Sequence, residues 1–135
     1  MNKQELTEKQ EAFVEAIYNC GGKADAMKYI AMLGEDLPKV NLPGDCIIAG
    51  CLSRTYFRAQ IDSKGLVQID GSSQSIIMSG VIQIMRDCFN GYTPAEVRTA
   101  GVTWVRDSGI LGMLTPQRQG AIHQMIERIN RTCEA

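Results

Sequence analysis

From Ser73 to Asn90 apolar residues return every third or fourth position, at Ile77, Gly80, Val81, Ile84, Met85 and Cys88. That spacing gathers them on one face and predicts a helix lying on a core. Gly91 supplies the stop, since a glycine tolerates the left-handed backbone just past a last turn. Thr7-Glu8-Lys9-Gln10 has the pattern of a capping box and predicts the start of a first helix, with Phe13, Ala16, Ile17 and Cys20 inward and Gly21-Gly22 at its end. A second helix is predicted from Lys23 to Glu35, over Ala26, Met27, Ile30 and Leu33. Thr93-Pro94-Ala95-Glu96 combines an N-cap, an N1 proline and an N3 glutamate for a short helix. Thr115-Pro116 repeats cap and proline ahead of a last helix that carries Ile122, Met125, Ile126 and Ile129.

The period changes to two between Arg54 and Ile61, with Phe57, Ala59 and Ile61 on one face and Arg54, Tyr56, Arg58 and Gln60 on the other. Asp62-Ser63-Lys64-Gly65 reads as a turn, and Leu66 to Asp70 as the returning strand with Val67 and Ile69 inward. A lone hairpin is marginal in water, so a third strand or a packed helix must cover it. Val102 to Arg106 is the candidate third strand, with a loop as the alternative. Pro38, Pro43 and Gly44 mark a loop from Leu37 to Gly50. The element order predicts an α+β fold, a small antiparallel sheet of about three strands with helices on one face, forming a single domain over residues 1–135.

Composition changes this picture little and narrows the function. A chain of 135 residues with 44% hydrophobic and 21% charged residues buries a core without disulfide or metal staples. A formal net charge of −1 argues against nucleic acid or an anionic membrane as main partner, because both reward a basic surface. No apolar run approaches the roughly 20 residues of a membrane span, and Met1-Asn2-Lys3-Gln4-Glu5 lacks a signal-peptide core. A cytoplasmic protein is the expectation. Cys20, Cys46, Cys51, Cys88 and Cys133 make an odd set without tight pairing, most of them expected to be free thiols in a reducing compartment, which also disfavours a Cys46–Cys51 disulfide. Cys20 and Cys88 fall in helical stripes and read as small core hydrophobes, and Cys133 as incidental.

The candidate chemistry sits in Gly50-Cys51-Leu52-Ser53-Arg54. Gly50 frees the backbone beside a cysteine at the mouth of a loop. Arg54 lies close enough in sequence to favour thiolate, the nucleophilic form. Against this stands the plain reading of a half-buried loop cysteine. The sole histidine, His123, falls on the last helix and reads as a surface or rim residue rather than a general base. No acid–base pair sits in a motif, and no glycine-rich phosphate loop is present. Cys46 and Cys51 have a C-x₄-C spacing without a second pair, so no resident metal and no cofactor are expected.

Several segments together resemble the SufE family, sulfur acceptors for cysteine desulfurases in iron–sulfur cluster assembly. They are Tyr29-Ile30-Ala31-Met32-Leu33-Gly34 with Leu37-Pro38, Gly50-Cys51-x-Ser53 running into an aromatic strand, Ile77-x-x-Gly80, Asn90-Gly91-x-Thr93-Pro94-Ala95-Glu96, and Leu114-Thr115-Pro116-x-Arg118-x-Gly120. The resemblance spans Tyr29 to Ile129 and implies an architecture shared with IscU-type scaffolds. It implies that Cys51 is the persulfide acceptor, with Arg118 in a supporting role towards the Cys51 loop or the desulfurase. Such a protein is a sulfur-transfer partner rather than a stand-alone enzyme. The implied partners are a cysteine desulfurase of the SufS or CsdA kind and a downstream Fe–S scaffold, with the chain a monomer or weak dimer. The alternative is a non-catalytic scaffold of the same fold that holds metal or a nascent cluster.

Departures from the family pattern fall near the partner-facing surface. The loop before Gly50 is shorter than usual, Gln74 stands where an acidic residue is common, with Ser72 and Ser73 ahead of it, and Ser79 replaces a basic residue before Gly80. Cys46 is an extra thiol, either a resolving cysteine or a random one. The apolar residues Ile47, Ile48 and Leu52 predict a Cys51 loop turned inward until a partner draws it out.

Overall fold

The computed structural model describes residues 3–134. In chain order its elements are α1 (Lys3–Tyr18), α2 (Lys23–Gly34), β1 (Thr55–Ile61), β2 (Val67–Ser73), α3 (Ile76–Phe89), α4 (Pro94–Ala100), α5 (Trp104–Ser108) and α6 (Pro116–Thr132). Short 3₁₀ turns lie at Gly44–Cys46 and Ile110–Met113. The class is α+β, as the pattern predicts.

Helix α3 is the centre of the molecule. The predicted stripe is buried throughout, and Met78, Ile82 and Phe89, off that stripe, are buried too. A helix apolar on nearly all sides belongs between layers rather than on a surface. The hairpin covers one side and α2 another, and α2 packs so closely that a Cβ on Gly80 would lie 1.9 Å from the Ile30 carbonyl oxygen. Ser75 caps α3 by accepting from Met78 N at 3.2 Å, and Gly91 takes the expected positive φ of 88° beyond its end. At α4 both halves of the predicted capping box form between Thr93 and Glu96.

The first helix starts earlier than Thr7. Lys3 to Leu6 are already helical, and Leu6 is wholly buried. Further along this helix Gln10, a polar residue, is buried in a core position. Its amide donates to Gly101 O at 2.9 Å and accepts from Thr103 N and Trp104 N at 2.9 and 3.1 Å.

Among the described residues the sheet has two strands, not three, with register from Thr55↔Ser73 to Ile61↔Val67. Val102 to Arg106, the expected third strand, enters α5 instead. Positive-φ glycines at 101 and 109 bracket that short helix, and Gln10 caps its start from across the core. Over five residues an alternating pattern and a helical turn are indistinguishable. The hairpin manages without another strand because its outer edges are met by other groups. Beyond β1, Arg128 donates to Phe57 O at 2.7 Å and Thr132 to Ala59 O at 3.0 Å. Beyond β2, Val67 N donates to Tyr92 O, Gly91 N to Val67 O, and the Asn90 side chain accepts from Ile69 N at 2.7 Å.

Candidate functional site

The chain reaches Cys51 along a stitched path. Ile48 N donates to Thr55 O at 2.8 Å, and Ile47 forms an antiparallel bridge with Tyr56. Two side chains one turn apart on α6 hold the same stretch. Arg128 donates to Cys46 O and Ile47 O, each at 2.8 Å, and Gln124 bonds both backbone groups of Ala49. Gly50 then turns at φ 77° with open space around it. On the far side, Gln74 fixes Arg54 by accepting from its N–H at 3.2 Å and donating its own N–H to Arg54 O at 3.0 Å.

Between these anchors Cys51 is half-buried and packs against the core. Its Sγ lies 3.7 Å from the hydroxyl of Thr55, a wholly buried residue. Thr55 donates to Ser53 O at 2.9 Å. Ser73 Oγ, which accepts from Ser75 N at 3.0 Å, is 2.7 Å from Thr55 Oγ1. Each hydroxyl has one proton, so Ser73 donates to Thr55, and Thr55 faces the thiol as an acceptor.

Cys51, Leu52 and Ser53 share a cleft of about 280 Å³ with Thr115, Gln117 and Arg118 from the start of α6. The two residues singled out for the site, Cys51 and Arg118, therefore line one cavity. Thr115 caps α6, accepting from Arg118 N at 3.4 Å, and this places the arginine in the first turn. Arg54 is exposed and does not line the cleft, so the cation there comes from α6 rather than from the neighbour in sequence. His123 is exposed on α6. The inward-turned loop is realised in part. Ile48 is buried, but Leu52 is 89% exposed and Ile47 44% exposed. One residue, not three, roots this loop in the core, because the side chains of 47 and 52 point away from it.

Cys46 is half-buried in a different cleft, of about 260 Å³, lined among others by Asp45, Arg58, Arg128 and Arg131. Cys20 donates to Ala16 O at 3.3 Å. All five cysteines are free. Among the described residues, no three or more His, Cys, Asp or Glu come together so that they could hold a metal ion.

Burial, reinforced by Asp87 and opposed by Lys9, pushes the Cys88 thiol from its ordinary 9.0 up to about 12. An unfolded chain would release that proton near pH 9 while the folded one keeps it. Stability from this group is therefore complete below pH 9 and falls as pH rises towards about 12, at up to about 1.4 kcal/mol per pH unit. Urea unfolding of the wild type at mildly and strongly alkaline pH should show the loss. Cys88→Ala should be weaker at both but lack this part of the slope, and an equal slope would place its origin elsewhere.

Gln124 and Arg128 were missed as site residues. They lie 75 and 82 positions from the backbone groups they hold. One signal was present: Gln124, Arg128 and Thr132 repeat every fourth residue, so the polar side of α6 forms a row as regular as its apolar one.

Two comparisons bear on this geometry. The family described as "SufE: Fe-S metabolism associated domain" matches residues 11–133. A solved solution structure, described as that of a hypothetical protein from Thermus thermophilus, aligns with a TM-score of 0.66 at 15% identity, covering 100% of both chains, which is a likeness of fold. Among the described residues no helix is long and apolar enough to cross a membrane.

Proposed function

The chain belongs to the SufE family of Fe–S metabolism associated domains, and on that premise we propose that it accepts sulfur from a cysteine desulfurase on Cys51 and activates that enzyme. The observation that carries this reading is the Cys51 thiol on a short arch, lining one cleft with Arg118. The Cys51 thiolate attacks the outer sulfur of the desulfurase persulfide. A new S–S bond forms on Cys51, the enzyme's own S–S bond breaks, and the enzyme cysteine leaves as thiolate. No oxidant or reductant is needed, because this is thiol–disulfide exchange. Arg118 supplies positive charge where thiolate and persulfide anion occur. Leu52, exposed beside the thiol, gives the desulfurase an apolar side chain to cover, worth about 1.5–3 kcal/mol if fully buried.

A reducing cytoplasm suits five free thiols, and a downstream Fe–S scaffold is the natural recipient. The scaffold alternative requires a set of ligands around a metal or cluster, and no observation favours it. The test is intact and peptide mass spectrometry after incubation with a desulfurase and cysteine, without reductant. The protein should gain mass in steps of about 32 Da, one sulfur atom each, on the peptide that contains Cys51. Sulfur on another cysteine, or none, would overturn the reading.

A further inference from the structure

We propose that Gln124 is a positioning residue for Cys51, its amide forming the fixed end of the arch that carries the thiol. The inference rests on Cys51 being the acceptor. Gln124 Nε2 donates to Ala49 O at 2.7 Å, and Ala49 N donates to Gln124 Oε1 at 3.1 Å. Ala49 is exposed, so water would satisfy both backbone groups equally well. What the pair of bonds adds is therefore location: a flat amide that meets N–H and C=O together fixes both the place and the direction of that peptide. Beyond it, among the described residues, Gly50, Cys51 and Leu52 make no backbone–backbone hydrogen bond. The next hold is at Ser53 O, on Thr55, and at Arg54, on Gln74.

The consequence is a limit on travel. Consecutive Cα atoms are about 3.8 Å apart, so with Ala49 held the Cys51 Cα stays within about 7.6 Å of it. Released at Ala49, the chain hinges from Ile48 and the radius on that side grows to about 11 Å, while the hold at Ser53 still bounds the other side. The volume open to the thiol rises, and the share of time spent in the cleft beside Arg118 falls. Thiol transfer requires near-attack geometry, so the loss appears in the transfer step and not in docking of the two proteins.

The experiment compares wild type, Gln124→Ala and Gln124→Glu, the last able to accept from Ala49 N but not to donate to Ala49 O. Single-turnover transfer from a persulfidated desulfurase should slow roughly 10- to 100-fold at saturation in Gln124→Ala, with the half-saturating concentration within about twofold. Gln124→Glu should fall between. In the free proteins, iodoacetamide should alkylate Cys51 of Gln124→Ala several-fold faster than in wild type, with Cys46 and Cys88 unchanged. Unchanged transfer and alkylation would overturn the proposal, as would a change confined to half-saturation. So would faster alkylation of all three thiols, which reports general loosening. If wild type carries no sulfur on Cys51, the functional reading fails, while the alkylation comparison still decides whether Gln124 holds the arch.

Discussion

Cys51→Ser should abolish sulfur acceptance outright while leaving the protein folded. Serine is close in size, but its hydroxyl does not ionise near neutral pH, and no persulfide forms without a sulfur nucleophile. The cost to stability should be small, because Cys51 is half-buried and its one polar contact, to Thr55 at 3.7 Å, is long. The other thiols are poor substitutes for stated reasons. Cys88 is buried and holds its proton up to about 12, and burial also raises Cys133, with Arg98 opposing. Cys46 lies in the other cleft, away from Arg118. Mass spectrometry of Cys51→Ser after desulfurase treatment should find no added sulfur, and Cys20→Ser and Cys88→Ser should retain wild-type loading. Persulfide on Cys46 in Cys51→Ser would contradict the claim of a single acceptor.

Gly80→Ala should be the most damaging single methyl group in the protein. Its Cβ would sit 1.9 Å from Ile30 O, 2.6 Å from Ile30 C and 2.7 Å from Ile30 Cγ2. Two of those atoms are backbone, so no rotamer relieves the clash and the crossing of α2 on α3 must open. Gly34 shows the same contact from the other helix, its Cβ position 2.7 Å from Gly80 N. Opening this crossing disturbs the packing of α2 on the central helix and should cost roughly 3 kcal/mol or more. In a chain of this size that lowers the melting temperature by about 10 °C. Gly120→Ala is the matching control. It lies in α6 with nothing within 4 Å of the added carbon, and should stabilise by roughly 0.5–1 kcal/mol. Thermal melts of the two variants should move in opposite directions, and a Gly80→Ala melt near wild type would show that the helices part easily.

What the sequence revealed was local or periodic. The stripe of α3, the capping box of α4 and the alternating hairpin each carry their signal within a few turns of chain; the stripe and the box lie where predicted, while β2 runs on to Ser73, where the helix was expected to begin. The Cys51–Arg118 pairing was accessible only through family resemblance, because 67 positions separate the two residues in the numbering. Two of the failures share one cause. α5 and the Cys51 loop are each fixed by a polar side chain far away in sequence, Gln10 for the first and Gln124 with Arg128 for the second. A glutamine looks like solvent-facing helix until its partners are known, and no periodicity marks which backbone it will grip.

The hydrogen bonds along both outer sides of the hairpin bear on how another protein can bind. An open strand edge invites a visiting chain to pair with it, in recognition or in aggregation. Here Arg128 and Thr132 occupy one side, and the Asn90–Tyr92 segment the other. A visiting strand would have to displace these groups before it could pair. Side chains around the cleft are the more open route to selectivity, and substitutions at Leu52 and Gln117 can retune partner choice without touching the sheet.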